Sequence, residues 1–353
     1  GRRDMKTNEK KNTSAKKKLI PAVAMLTTSA VMLSTATYAW FTMSREVEVT
    51  GIKLTATTPQ TIEISLGKAT AGATITSKTE ATAPTNDDAD TKLWSNKAAT
   101  SSVYATFGKL IPASTIDGKD LYYTTKATEN GKAVDISGEN AFIKATNTNN
   151  AGWTFQNVGA SSATEKDLTA NTDGEGYYLD IPVWFRTTSI DDVKLGVDVT
   201  VTDPNADDDN TKGDLYKATR VAFLTSDKTT ANGVFLGAET DVDNGYYKKK
   251  AVRANTGTSE NDYYGTVTVA KEVTANTAGQ VTNSDSTEVA NVTGVGTGKT
   301  GYSTPAKYYI RVWLEGEDQA CWNGTASQSF NINLQFYDLS LIHISEPTRP
   351  ISI

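Results

Sequence analysis

Residues 45–56 read REVEVTGIKLTA. Val47 and Val49 fall on one side of an extended chain, Glu46 and Glu48 on the other. After Gly51 the apolar residues move to even positions, Ile52 and Leu54. Alternation of this kind marks a half-buried strand, because successive side chains of an extended chain point to opposite faces. The change of parity needs one extra residue, so the stretch predicts a β-bulge near Gly51.

The same period of two recurs along the chain. TIEISL (61–66) sets Ile62, Ile64 and Leu66 against polar neighbours. SVYATFGKLI (102–111), KDLYYTTK (119–126), WTFQNV (153–158), VKLGVDVTV (193–201), RVAFLT (220–225), YYGTVTVA (263–270) and SFNINLQF (329–336) follow suit. Val, Ile, Thr, Tyr and Phe favour strands, and clusters of Asn, Asp and Gly supply turns. Beyond residue 41 no stretch carries an apolar stripe of helical period. The reading is all-β. An antiparallel β-sandwich, jelly-roll-like, is the simplest way to bury one face of so many strands.

YYLDIPVWFR (177–186) and YYIRVWLEGE (308–317) echo each other. Leu179, Ile181, Val183 and Phe185 share one face of the first; Tyr308, Ile310, Val312 and Leu314 share one face of the second. Two long core strands are predicted. Trp184 and Trp313 fall on the opposite faces with Asp180, Arg186, Arg311 and Glu315, where exposed indoles would offer a stacking surface for sugars. Two stretches are poor in large apolar residues, GKATAGATITSKTEATAPTNDDADTK (67–92) and KEVTANTAGQVTNSDSTEVANVTGVGTGKTG (271–301). They predict long loops, or weak surface strands, near 67–100 and 271–301.

The ends are of another kind. Residues 1–4 precede Met5 and read as untranslated leader. Lysines crowd 6–18, and 19–41 carries no charge. A basic start, an apolar stretch and small residues at its end describe a signal peptide over 5–39, helical in its apolar part. Thr37 and Ala39 are the small residues before the cut, and Trp40 opens the mature chain, 40–338. About 20 apolar residues also suffice to span a bilayer, so an uncleaved anchor is the alternative. The threonines and serines within 27–37 dilute the run and favour cleavage, leaving a transient membrane contact through 19–41. LSLIHISEPTRP (339–350) back-translates to the adapter of a transposase-based sequencing library, so 339–353 is read as an artefact. The only histidine, His343, lies there.

A lysine-rich start ending in KKKL, followed by TYAWF, resembles over 16–41 the signal segments of TasA-type matrix fibre proteins and camelysin-like surface proteins of Gram-positive bacteria. IRVWLEGEDQACWNG (310–324) and FNINLQF (330–336) resemble the last strands of secreted proteins with that signal. The resemblance implies a SipW-type signal peptidase cutting before an aromatic residue, and fibres assembled by strand donation. Cleavage would free WFTMSREVEVTGIKLTA (40–56), so Val47, Val49, Ile52 and Leu54 form the candidate donor strand, entering a neighbour as an added strand. An N-terminal strand pairing within its own domain is the alternative.

Charge and motif content narrow the chemistry. The whole chain has a formal net charge of −6, and 40–338 is more acidic still once the basic leader is removed. An acidic chain without a basic patch is a poor partner for nucleic acid. Without a histidine in 40–338 the commonest general base and metal ligand are missing. No GxxxxGK[ST] phosphate loop, GxSxG elbow or HExxH helix occurs. Glu315 and Asp318 are the carboxylates to consider for a glycosidase, and acidic hairpin ends are the ordinary reading of them. The sole cysteine, Cys321, reads as a small apolar filler, with an intermolecular bridge as the alternative. DPNADDDNTKGD (203–214) places Asp203, Asn205, Asp207, Asp209 and Asp214 at calcium-loop positions. Asp208 stands where the sharp turn wants glycine and Asp214 where it wants glutamate, so a solvated turn is favoured and no cofactor is assigned. The expectation is a secreted, non-enzymatic surface or biofilm-matrix protein that self-associates. A monomeric adhesin or carbohydrate-binding module is the competing reading.

Overall fold

A computed structural model of the chain describes residues 48–56, 61–68, 82–86, 93–99, 109–125, 128–129, 132–133, 154–157, 175–205, 215–235, 250–252, 264–267, 270–271, 275–277, 280–316, 318, 321 and 328–340. The signal segment, with Thr37, Ala39, Trp40 and also Val47, lies outside them. No helix among the described residues is long and apolar enough to cross a membrane.

The architecture is all-β, two mainly antiparallel sheets packed together. The path of the larger sheet is β17 (Ala275–Thr277), β18 (Gln280–Val292), β11 (Val193–Thr202), β20 (Ser329–Asp338), β1 (Glu48–Ala56), β4 (Lys109–Leu110) and β9 (Glu175–Gly176), with β3 (Lys97–Ala99) also on β1. The second runs β16 (Ala270–Lys271), β13 (Ala231–Phe235), β12 (Thr219–Thr225), β19 (Ala306–Leu314), β10 (Leu179–Thr187) and β2 (Ile62–Ser65). Three two-stranded ladders lie apart: β5 (Tyr122–Thr125) with β8 (Thr154–Asn157), β6 (Thr128–Glu129) with β7 (Lys132–Ala133), and β14 (Lys250–Val252) with β15 (Tyr264–Thr266). A single-turn helix, Leu215–Ala218, leads into β12.

The inward residues of both sheets form one core. Phe185 on β10 meets Phe336 on β20 edge-on at 4.9 Å, and Phe223 on β12 meets the same ring at 5.7 Å. These contacts join the sheets, since aromatic edges prefer aromatic faces. The expected bulge is present: the β1–β20 pairing shifts register between Val49 and Gly51. Beyond it, Ile52 and Leu54 are buried in this core.

Three points that the sequence left open are decided. First, β1 is a strand of its own domain, with β20 in parallel on one side and β3 and β4 on the other. Ile52 and Leu54 are therefore occupied rather than free for a neighbour, because burying them here removes their apolar surface from water. Second, β18, thirteen residues long, lies inside 271–301, where the sequence allowed either a long loop or a weak surface strand. Thr282 and Ser284 pair with β11 along the ladder, and Val289, Ala290 and Val292 reach the core. The other stretch, 67–100, likewise holds β3 and the bridges Ile64–Ser95 and Lys68–Thr82. Third, the tryptophans are not exposed. β10 and β19 are antiparallel neighbours, and every residue of β10 is buried, including those on its outer face. Trp184 and Trp313 are 3% and 0% exposed.

The outer face of the second sheet is covered by 111–121 and by Tyr177 and Tyr178. Ala113, Leu121, Tyr177, Ala222, Val234 and Trp313 share a second, smaller core there. Ala113 N–H donates to the Leu314 carbonyl, and Gly316 N–H donates to that of Ala113. The second sheet thus works as a middle layer, apolar on one side and mixed polar and aromatic on the other.

Candidate functional site

The polar residues of that outer face form the site with the most chemistry on it. Arg311 on β19 donates from Nε and Nη2 to the two oxygens of Asp180 on β10, at 2.7 and 2.8 Å. Its Nη1 donates to the carbonyls of Gly118 and Lys119 in the covering segment, and its guanidinium lies 4.3 Å from the Tyr178 ring centre. Lys228 adds a second cation at 2.8 Å from Asp180 Oδ2 and sits 4.2 Å from the Tyr309 ring centre. Burial pushes the Asp180 carboxyl up, but Arg311 and then Lys228 outweigh burial and hold it below the ordinary carboxylate range.

Lys228 comes from the β12–β13 turn, where it has φ 60, a left-handed backbone uncommon for a side chain of its size. The turn is braced by Asp227. That carboxylate accepts from Thr225 Oγ1 at 2.6 Å and from Thr229 N–H and Oγ1, which together bring its pKa to about 2.

The two neighbouring carboxylates are engaged as well. Asp318 accepts from Arg220 Nη2 at 2.7 Å, and Glu315 accepts from Trp313 Nε1 at 3.3 Å. They are 5% and 3% exposed. A glycosidase acid and base flank an open cleft; these two are bound to partners inside the fold.

At one end of the sandwich a second cluster reaches the surface. Arg186 on β10 binds Glu63 on β2 through Nε and Nη2, at 2.8 and 2.5 Å. Its guanidinium carbon lies 4.3 Å from the Trp94 ring centre and 3.7 Å from that of Tyr302. Tyr302 donates its hydroxyl to Glu63 Oε1 at 3.1 Å, and burial followed by this carboxylate raises its pKa. Trp94 Nε1 donates to the Thr85 carbonyl. Sequence alternation had placed Arg186 on the outer face of its strand; Glu63, Trp94 and Tyr302 had no local signal marking them as its partners.

Of the calcium-loop residues, Asp203 and Asn205 are described, and Asp207, Asp209 and Asp214 lie outside the described residues. Asp203 Oδ1 accepts from Asn205 N–H at 2.9 Å, the side-chain cap of an ordinary Asx turn. Among the described residues no group of three or more His, Cys, Asp or Glu could hold a metal ion. Cys321, outside any disulfide, is buried in the main core.

Comparison with family models, with curated proteins and with solved structures finds no match.

Proposed function

We propose that the chain is a secreted structural protein of a Gram-positive cell surface or biofilm matrix, a jelly-roll-like sandwich behind a helical signal peptide. The observation that carries this reading is the lysine-rich start followed by the uncharged run 19–41 ending in TYAWF. It supports export, with cleavage between Ala39 and Trp40 by a SipW-type signal peptidase. The buried charges of the second sheet suit the same reading, because each carboxylate described there is engaged within the fold. Self-association then uses 40–47, or exchange of β1 between copies, in which a neighbour's strand refills the slot beside β20.

Expression in a Gram-positive secretion host that supplies the peptidase tests export and assembly together. Edman sequencing of the secreted chain should begin Trp40-Phe41-Thr42, and negative-stain microscopy should show regular filaments. Intact 5–41 in the membrane fraction would overturn the export step. Dispersed single particles would overturn assembly and favour the monomeric adhesin.

A further inference from the structure

The buried tryptophans leave the search for a sugar-stacking ring to another residue. Tyr302 and Ile190 are the two large apolar residues exposed among those described, at 39% and 54%. They lie on loops that are tied together. Val295 N–H donates to the Ser189 carbonyl, Gly296 N–H to that of Ile190 and Gly294 N–H to Asp192 Oδ1. Ser303 N–H donates to Thr187, whose own N–H donates to Ser303 Oγ.

Tyr302 is exposed and held at once. Arg186 packs on its ring, Glu63 fixes its hydroxyl, and Arg186 in turn rests on Trp94. A ring presented in one orientation loses little conformational entropy when a ligand settles on it. Beside it runs Gly296-Thr297-Gly298-Lys299-Thr300-Gly301. Gly296, Gly298 and Gly301 have φ of 85, 77 and 94, and a Cβ at any of them would meet nothing within 4 Å. Glycine is there for the backbone path, not because neighbours crowd it, and the path leaves bare main chain open to close approach. The N–H groups of Thr297, Gly298, Thr300 and Gly301 make no hydrogen bond within the described residues.

We propose that this loop end is a carbohydrate-binding subsite, in which one ring of a neutral polysaccharide stacks on Tyr302 and its hydroxyls bond to the bare backbone of 297–301. Stacking needs a flat apolar ring face, and the free N–H groups need hydroxyl oxygens; a sugar ring has both. Charge argues against a polyanion. Lys299 is the one basic residue in 293–305, and Asp191 and Asp192 are exposed on the adjoining turn. The site is independent of whether the chain forms filaments.

Affinity electrophoresis of the secreted chain through gels containing soluble neutral glucans, with polyglutamate gels as the anionic control, tests it. Retardation by at least one neutral glucan and none by polyglutamate is expected. Tyr302→Ala should weaken the interaction at least about tenfold while keeping the wild-type far-UV spectrum, and Tyr302→Phe, which keeps the ring, should retain it. Should Tyr302→Ala disturb the fold, Gly298→Val, at a position where an added Cβ meets nothing within 4 Å, should weaken binding instead. No retardation by any neutral glucan, or equal retardation of wild type, Tyr302→Ala and Gly298→Val, would overturn the proposal.

Discussion

Asp180 and Arg311 face each other directly across β10 and β19, and the guanidinium holds both carboxylate oxygens. Both side chains are almost wholly buried, at 1% and 5% exposure. The pair does more than cancel charge. Arg311 also binds two carbonyls of 118–119, so it fastens the covering segment to the sheet. An ion buried alone costs several kcal/mol, whereas one paired and fully hydrogen-bonded is tolerated.

Arg311→Ala should therefore destabilise the fold by about 3–5 kcal/mol, because it leaves the buried Asp180 carboxylate to the half-buried Lys228 and frees the 118–119 carbonyls. Urea unfolding measures this directly. The double variant Asp180→Leu/Arg311→Leu should lose much less than the sum of the single changes, since the residues are coupled. Additive losses would mean that the pair is not the unit described.

Acid should act through Asp180 in a defined window. Its folded pKa is depressed, so its contribution is present above the unfolded value of about 3.9 and is lost as pH falls through the folded value. Between pH 7 and 5 the wild-type urea midpoint should change little on its account, then drop below about pH 4. Asp180→Asn should start lower and show a shallower acid limb. Parallel limbs in the two proteins would remove Asp180 as the titrating group.

The place of β1 can be read from neighbouring residues. Leu54 is 0% exposed and Lys53 points outward. Leu54→Ala should cost about 2–5 kcal/mol, the transfer and cavity terms of a large-to-small core change. Lys53→Ala should stay within about 0.5 kcal/mol, as surface changes do. Thermal unfolding of the two variants decides; equal midpoints would place β1 outside its own core.

Two glycines of similar backbone separate strain from crowding. Gly118 and Gly298 have φ of 74 and 77. A Cβ on Gly118 would lie 2.9 Å from Val234 Cγ2 and 3.1 Å from Ala222 Cβ, whereas one on Gly298 meets nothing within 4 Å. Both alanine variants carry the left-handed cost of about 1 kcal/mol. Gly118→Ala adds overpacking of about 1–3 kcal/mol and should have clearly the lower melting temperature.

Local alternation was enough to read the strand character of 48–56, 62–65, 193–201 and 329–336, and the parity change at Gly51 was enough to place a bulge. Both follow from the pleat, which each strand carries in its own residues. The thirteen residues of β18 could be read only as a loop or a weak surface strand, because their place is set by the backbone ladder of β11, and Thr, Ser and Asn serve a ladder without an apolar stripe. Trp184 and Trp313 could be assigned to the outer faces but not to water or protein. For Trp313 that depended on 111–121 and 177–178 landing on it, and for Trp184 on its joining the main core. Asp180 and Arg311 are 131 residues apart, and Glu63 and Tyr302 are 239 apart. Period and composition describe which way a side chain points from its own strand. Which distant group it meets is settled only when the sheets close, because burial and pairing energies arise between segments that no local pattern connects.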